Sequence, residues 1–194
     1  LAWQDEGGSL RNGPQSAGAH PGPACYCNGN PVATNTDANV VLGRLGSSLA
    51  GGKITLDPAL AAKAVQETVA TPFGMSLHKA AEAIIAVANA NMANAVRLLS
   101  VSRGYDPRDF ALVAFGGAGA LHGAAVAKEL SIPTVIVPPN PGVTSALGCL
   151  LVDVQHDFSE SFMADASVVS PGEMETAFQR MEEHATERLS HEGI

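Results

Sequence analysis

Gly116-Gly117-Ala118-Gly119 closes an apolar run, Ala111 to Phe115, and leads into a helical pattern. Glycines at such a turn serve one of two ends. They let the backbone approach a phosphate or a planar base without a Cβ in the way, and they leave amides free for an anion. Alternatively, they permit a tight strand-to-helix turn where packing is close. The spacing is neither that of a Gly-x-x-x-x-Gly-Lys loop nor of Gly-x-Gly-x-x-Gly. His122 follows three residues later, on the first helical turn, where it could touch a ligand, carry a proton, or pack and cap. Asp37, in Thr36-Asp37-Ala38-Asn39, is either a helix N-cap or a contact to substrate or magnesium.

Two further constellations carry less. Asp5-Glu6-Gly7-Gly8-Ser9 has the form of an Asp-x-Gly-Gly-Ser loop, which resembles the phosphate loops of actin-like ATPases. A hairpin turn is the better reading, because no buried apolar strand precedes Asp5 and no helix follows Ser9. Cys25-Tyr26-Cys27 lacks the Cys-x-x-Cys spacing of zinc or redox sites, and no second Cys/His pair completes a tetrahedral set. No metal ligands are assigned, and the thiols, Cys149 included, are expected in the core.

The elements that must position these residues follow from pattern. Residues 1–36 read as turns and short strands. In "TDANVVLGRL", which starts at Thr36, a helix is expected behind Asp37 as its cap, and a second behind Asp57 with Pro58 at its first position. Ser76 caps the longest helix, about Leu77 to Arg103, which Gly104 closes. Its apolar stripe runs through Leu77, Ile84, Ala88, Met92, Val96 and Leu99. Asn89, Asn91 and Asn94 are unusual there, since Asn is a poor helix former, and read as solvated or as polar contacts. Phe110 to Phe115 reads as a fully buried strand, about Ala120 to Leu130 as a helix, and "IPTVIVPP" as a second strand. Together they make a βαβ unit of an α/β fold with parallel strands and packed helices. A short helix is expected after Gly142, an exposed or edge strand over "VQHDFSESF", and an acidic amphipathic helix from about Pro171 to His191.

Composition bounds the reading. The chain has 194 residues, 46% hydrophobic and 15% charged, enough for a sizeable core. Its net charge is −8: residues 1–150 hold 9 acidic and 9 basic residues, and residues 151–194 hold 10 acidic and 2 basic. That shift suggests a boundary near Val152 and argues against nucleic acid as a partner. No stretch reaches the roughly 18 unbroken apolar residues of a membrane span, so no membrane partner is expected. Three cysteines with no secretory signal point to a reducing, cytoplasmic setting. The first residue is Leu, which reads as a fragment or a processed product.

At a carboxyl edge of parallel strands the Gly-rich turn lies where ligands bind in open α/β sheets. Four stretches sharpen this. "GPQSAGAHPGPACY" (Gly13 to Tyr26), "TDANVVLGRL" (Thr36 to Leu45), "GYDPRDFALVAFGGAGALHGAAVAKEL" (Gly104 to Leu130) and "VIVPPNPGVTSALGCLLVDV" (Val135 to Val154) occur in that order. Together they resemble the hydantoinase A / 5-oxoprolinase family, which also includes a subunit of acetone carboxylase. The resemblance runs through about residue 160. His20 stands where the family more often has Asp, Ala120 where it has Pro, and Cys27 where it has Gly.

The resemblance implies an actin-like ATPase fold, two α/β lobes closing over ATP and magnesium. It implies that Gly116, Gly117, Ala118 and Gly119 pack on the adenosine, and that the Asp-Gly-Gly-Thr type phosphate loops would lie before Leu1. Residues 1–152 then correspond to the later part of the ATPase-like domain, and residues 153–194 to the start of an acidic C-terminal region. The implied chemistry is ATP-dependent opening of a cyclic amide such as a hydantoin or 5-oxoproline. A lactam is a poor electrophile, and phosphorylating its carbonyl oxygen lets water attack. Asp37 and His122 are the candidate catalytic residues. A B-type subunit and an oligomeric assembly are the implied partners. An acetone-carboxylase-type ligase subunit and a non-catalytic nucleotide-binding or assembly subunit are the alternatives.

Overall fold

The computed structural model describes residues 1–164 and 168–193. Asp5 organises the first hairpin. Strands β1 (Ala2–Gln4) and β2 (Leu10–Asn12) pair antiparallel, Trp3 opposite Arg11. In the turn the Gly8 N–H donates to the Asp5 carbonyl (2.9 Å) with Gly8 at φ +80°. The Asp5 carboxylate accepts from the Ser9 N–H (2.8 Å) and from Arg11 Nε (2.6 Å). These bonds, that to Ser9 foremost, hold its carboxyl below the usual range. Asp5 is thus consumed by the turn, and the hairpin reading of this stretch holds.

Helix α1 (Asn35–Val41) is capped by Thr34 rather than Asp37, so it begins three residues before Ala38, the first helical position that an Asp37 cap would give. The two form a capping box: the Asp37 N–H donates to Thr34 Oγ1 (3.3 Å), and the Thr34 N–H donates to Asp37 Oδ2 (2.9 Å). A short hairpin, β3 (Ser48–Leu49) and β4 (Ile54–Thr55), leads to α2 (Pro58–Val65). Asp57 caps α2 as expected, accepting from the Ala59 (2.8 Å) and Leu60 (3.2 Å) amides. A π turn, Gln66–Ala70, extends it.

Helix α3 (Leu77–Val101) is the spine, packed against α1 and α2 at one end and against the βαβ unit at the other. Ser76 caps it, and Gly104, at φ +79°, reverses the chain behind it. It is long and apolar enough by composition to cross a bilayer, with a mean hydropathy of 1.4. Ala80, Ala81, Ile84 and Ile85 are buried against Val65, Val69 and Ala38, whereas Leu98, Leu99 and Val101 towards its C-terminal end are exposed, Leu99 of the expected apolar stripe among them. Small side chains dominate this core, so the helices approach closely.

Strands β5 (Ala111–Val113) and β6 (Thr134–Ile136) pair in parallel, Leu112 opposite Val135, with α4 (Gly119–Leu130) between them. The expected βαβ unit is present. The expected full burial of Phe110 to Phe115 is not: Phe110, Val113 and Phe115 are 51%, 50% and 46% exposed. Among the described residues helices cover only one face of this sheet. Leu112 and Val135 pack there against Val126, Ala127 and Leu130, and the alternate residues face outward.

By contacts the chain divides into two units, Leu1–Ser145 and Ala146–Ile194. Helix α5 (Thr144–Leu151) leads into the second, where Val152–Ala164 forms no regular structure. The edge strand expected over Val154 to Phe162 is absent, because no described strand pairs with it. Helix α6 (Pro171–His191) carries a Ser170/Glu173 capping box. His156 Nε2 lies 2.8 Å from Glu192 Oε2, and Arg180 pairs with Glu160 at 2.8 Å. On the apolar stripe of α6, Ala177 is buried while Met174 and Phe178 are exposed.

Candidate functional site

A groove of about 430 Å³ opens between α3, the end of β5 and the first turns of α4. Met92, Ala95 and Val96 form one wall, and Leu112 to Phe115 another. Ala118, Gly119, His122, Gly123 and Val126 complete it, so His122 is the sole polar side chain in the lining. Such a site suits a largely apolar or planar group held by a few polar contacts.

The Gly-rich loop forms the mouth. Gly116 has φ +86°, a conformation that only glycine adopts without strain, and its N–H donates to the Pro141 carbonyl at 2.8 Å. That bond ties the loop to the turn after β6. Gly117 has no atom within 4 Å of where a Cβ would stand, and Gly119 meets Ala114 at ordinary contact distance, 3.5 Å. Ala118 caps α4 without a side-chain bond. The N–H groups of Gly117, Ala118, Gly119 and Ala120 have no partner among the described residues. Free amides at a helix start favour electron-rich oxygens of a ligand. Of the four expected contact residues, Ala118 and Gly119 line the groove while Gly116 and Gly117 stand beside it.

His122 is 7% exposed, and its Nδ1 lies 2.7 Å from Asn89 Oδ1 on α3. Burial, and then the charge of Arg44, push its pKa below the ordinary value, so the ring is neutral near pH 7. Of the three asparagines of α3, Asn89 thus meets His122, and Asn91 Nδ2 donates to the Asn12 carbonyl (3.1 Å). Asn94 accepts from Arg97 (2.6 Å). All three make polar contacts within the chain, the first two to other elements. The helix-unfriendly Asn at position 89 was the sequence signal for this, although pattern alone could not name its partner.

Asp37 does not line the groove. It is fully buried, and its carboxylate accepts from the amides of Ala24 (3.2 Å), Cys25 (2.8 Å) and Thr34 (2.9 Å) and from the Thr34 hydroxyl (2.7 Å). It anchors the Ala24–Thr34 loop to α1. Beside it, burial and then Asp37 push the Cys25 thiol up to about 12. Cys25 is buried as expected, but Cys27 and Cys149 are exposed, contrary to expectation. Cys27 follows the tight turn at Tyr26 in a left-handed conformation, and none of α5 is buried.

Among the described residues no three His, Cys, Asp or Glu side chains gather as a cation site. Magnesium in phosphate sites is commonly held by one or two carboxylates together with phosphate and water oxygens, and no carboxylate lines this groove. The groove offers an apolar lining, unpartnered amides at its mouth, and one imidazole.

A βαβ unit with a glycine-rich loop at the carboxyl end of its first strand is an α/β arrangement, and in open α/β sheets that edge is where ligands bind. The hydantoinase/oxoprolinase profile matches residues 1–158, and the chain belongs to that family. An uncharacterized protein of Methanocaldococcus jannaschii is 49% identical over 92% of this chain and 26% of its own length. Caprolactamase subunit alpha of Pseudomonas jessenii is 37% identical over 100% of this chain and 28% of its own length. The crystal structure of the ATP-dependent caprolactamase from Pseudomonas jessenii superposes with a TM-score of 0.74 at 35% identity, over 98% of this chain and 28% of that one. Nucleotide-free acetone carboxylase superposes with a TM-score of 0.72 at 29% identity, over 79% of this chain and 22% of that one. The chain thus spans about a quarter of the length of these curated relatives.

Proposed function

We propose that this chain supplies the adenosine-contacting part of an ATP-dependent enzyme that opens a cyclic amide, in an actin-like ATPase fold and as an A-type subunit alongside a B-type partner. The observation that carries the reading is the run of unpartnered amides, Gly117 to Ala120, at the mouth of the apolar groove. Family membership and the ATP-dependent caprolactamase relative support it. When bound, ATP supplies the phosphoryl group that activates an amide carbonyl. This chain's own residues would hold the nucleoside: the groove walls pack on the ring, the loop amides meet oxygens, and His122 offers one hydrogen bond. No carboxylate lines the groove, so magnesium would be held by the phosphates and by groups outside that lining.

The test is ATP turnover by the full-length polypeptide with its B-type partner, comparing 5-oxoproline, hydantoin, caprolactam and acetone. Lactam-stimulated turnover is expected, and no ATP consumption with any of them would overturn the reading. A ligase of the ketone-carboxylase type is the second reading, favoured by the 38% identity to acetophenone carboxylase gamma subunit of Aromatoleum aromaticum. ATP consumption with acetone and bicarbonate, but not with lactams, would select it. ATP binding with no turnover would leave a nucleotide-binding or assembly subunit.

A further inference from the structure

His122 is buried, yet only one of its ring nitrogens is spoken for. Nδ1 lies 2.7 Å from Asn89 Oδ1. An amide oxygen can only accept, so Nδ1 carries the proton and the neutral ring keeps a lone pair on Nε2. Nε2 has no partner among the described residues, and it is not sealed from solvent, since the one buried polar side-chain atom without a partner is Asn39 Oδ1. Asn89 makes no other side-chain bond among these residues, so its amide oxygen serves the imidazole alone. It also stands three residues before Met92, on the helix face that forms a groove wall. The remaining lining is apolar or glycine.

The geometry points to Asn89 as a positioning residue for His122: it fixes the Nδ1–H tautomer, so that the one polar side chain of the groove presents an acceptor. The groove therefore takes a group that donates an N–H or O–H, such as an amino group or hydroxyl of a nucleoside, and rejects one that presents only acceptors there. Without Asn89 the ring is free to carry its proton on Nε2, and a donor would then face a donor. The inference rests on the nucleotide reading of the groove for its ligand, and on geometry alone for the tautomer.

Two readouts test it. With histidine-selective nitrogen labelling, His122 (assigned by loss of its signal in His122→Gln) should show a protonated Nδ1 and an unprotonated Nε2. Asn89→Asp retains the acceptor, but its charge favours the imidazolium, so all variants are compared at about pH 9, where the neutral ring should keep that pattern. Asn89→Leu should shift the proton to Nε2 and weaken ATP binding about tenfold, the loss of one hydrogen bond, while Asn89→Asp stays within about threefold of the parent. A protonated Nε2 in the parent, or an unchanged tautomer in Asn89→Leu, would overturn the inference. So would a shifted tautomer with unchanged ATP affinity in a protein whose affinity still responds to Gly117→Val. If neither Asn89→Leu nor Gly117→Val alters ATP affinity while the tautomer shifts as stated, the nucleotide reading has failed and the Asn89 clamp on the ring stands.

Discussion

Gly123 of α4 lies so close to Ala114 that a Cβ on Gly123 would stand 2.9 Å from the Ala114 Cβ. Ala114 cannot retreat, because its N–H is bonded to the Ile136 carbonyl at 2.9 Å, and Val135 Cγ1 stands 3.5 Å from the same point. Gly123→Ala gains about 1 kcal/mol of helix propensity but forces the helix off the sheet. We expect a net loss of about 1 kcal/mol, and about 3 kcal/mol for Gly123→Leu, read from urea unfolding midpoints.

Gly117 is the contrasting case. No atom lies within 4 Å of its missing Cβ, and its φ is not positive. Gly117→Val should leave stability within about 0.5 kcal/mol of the parent while weakening ATP binding, measured by calorimetry on the full-length protein. Unchanged affinity would remove Gly117 from the nucleotide contacts.

Asp37 ties together Thr34, Ala24 and Cys25. Asp37→Ala strands two buried amides and one half-buried amide and should cost about 3 kcal/mol. Thermal unfolding of this variant would show it. A variant that keeps its melting temperature but loses turnover would instead return Asp37 to the catalytic role that its motif suggested.

The three thiols should separate by reactivity. Cys25 is buried with its pKa raised from 9.0 to about 12, whereas Cys27 and Cys149 are exposed. Only a thiolate attacks an alkylating reagent, so two thiols should react in the folded protein and the third only on unfolding. The same shift has a sign for stability. The folded state holds the Cys25 proton more tightly than the unfolded chain, so its contribution is complete below pH 9.0 and fades as pH rises towards about 12. His122 acts at the other end: its lowered pKa means that stability drops as pH falls below the ordinary histidine value of 6.5. Unfolding midpoints across pH in the parent and in Cys25→Ser and His122→Gln would check both signs.

Much of this fold was legible because its signals are local. Asp57-Pro58, Ser76 and Ser170-Pro171 each mark a helix start through one side chain and its nearest amides. The cap of α1 was misplaced because Thr34 and Asp37 form a reciprocal box, and only the backbone conformation shows which of them is the N-cap. Burial in β5 falls short of the expectation for a different reason. An unbroken apolar run states what a strand can bury, and it is silent on whether a second layer covers the other face. The candidate site divides the same way. The glycine loop and His122 stand out in sequence, whereas Asn89 and Met92 join them only through the packing of α3 on α4.

The outward face of β5 and β6 has a consequence for handling the molecule. Val113, Phe115, Ile136 and Val137 leave an apolar strip on the part of the chain whose charges cancel, while residues 151–194 carry the whole −8. Colloidal stability is thus lent by one end of the polypeptide to the other. Salt, which shortens the reach of that repulsion to about 10 Å at 0.1 M, or proteolysis of the acidic end, would leave a sticky neutral body in solution. Preparations of residues 1–194 are best kept dilute in salt, with the acidic segment retained.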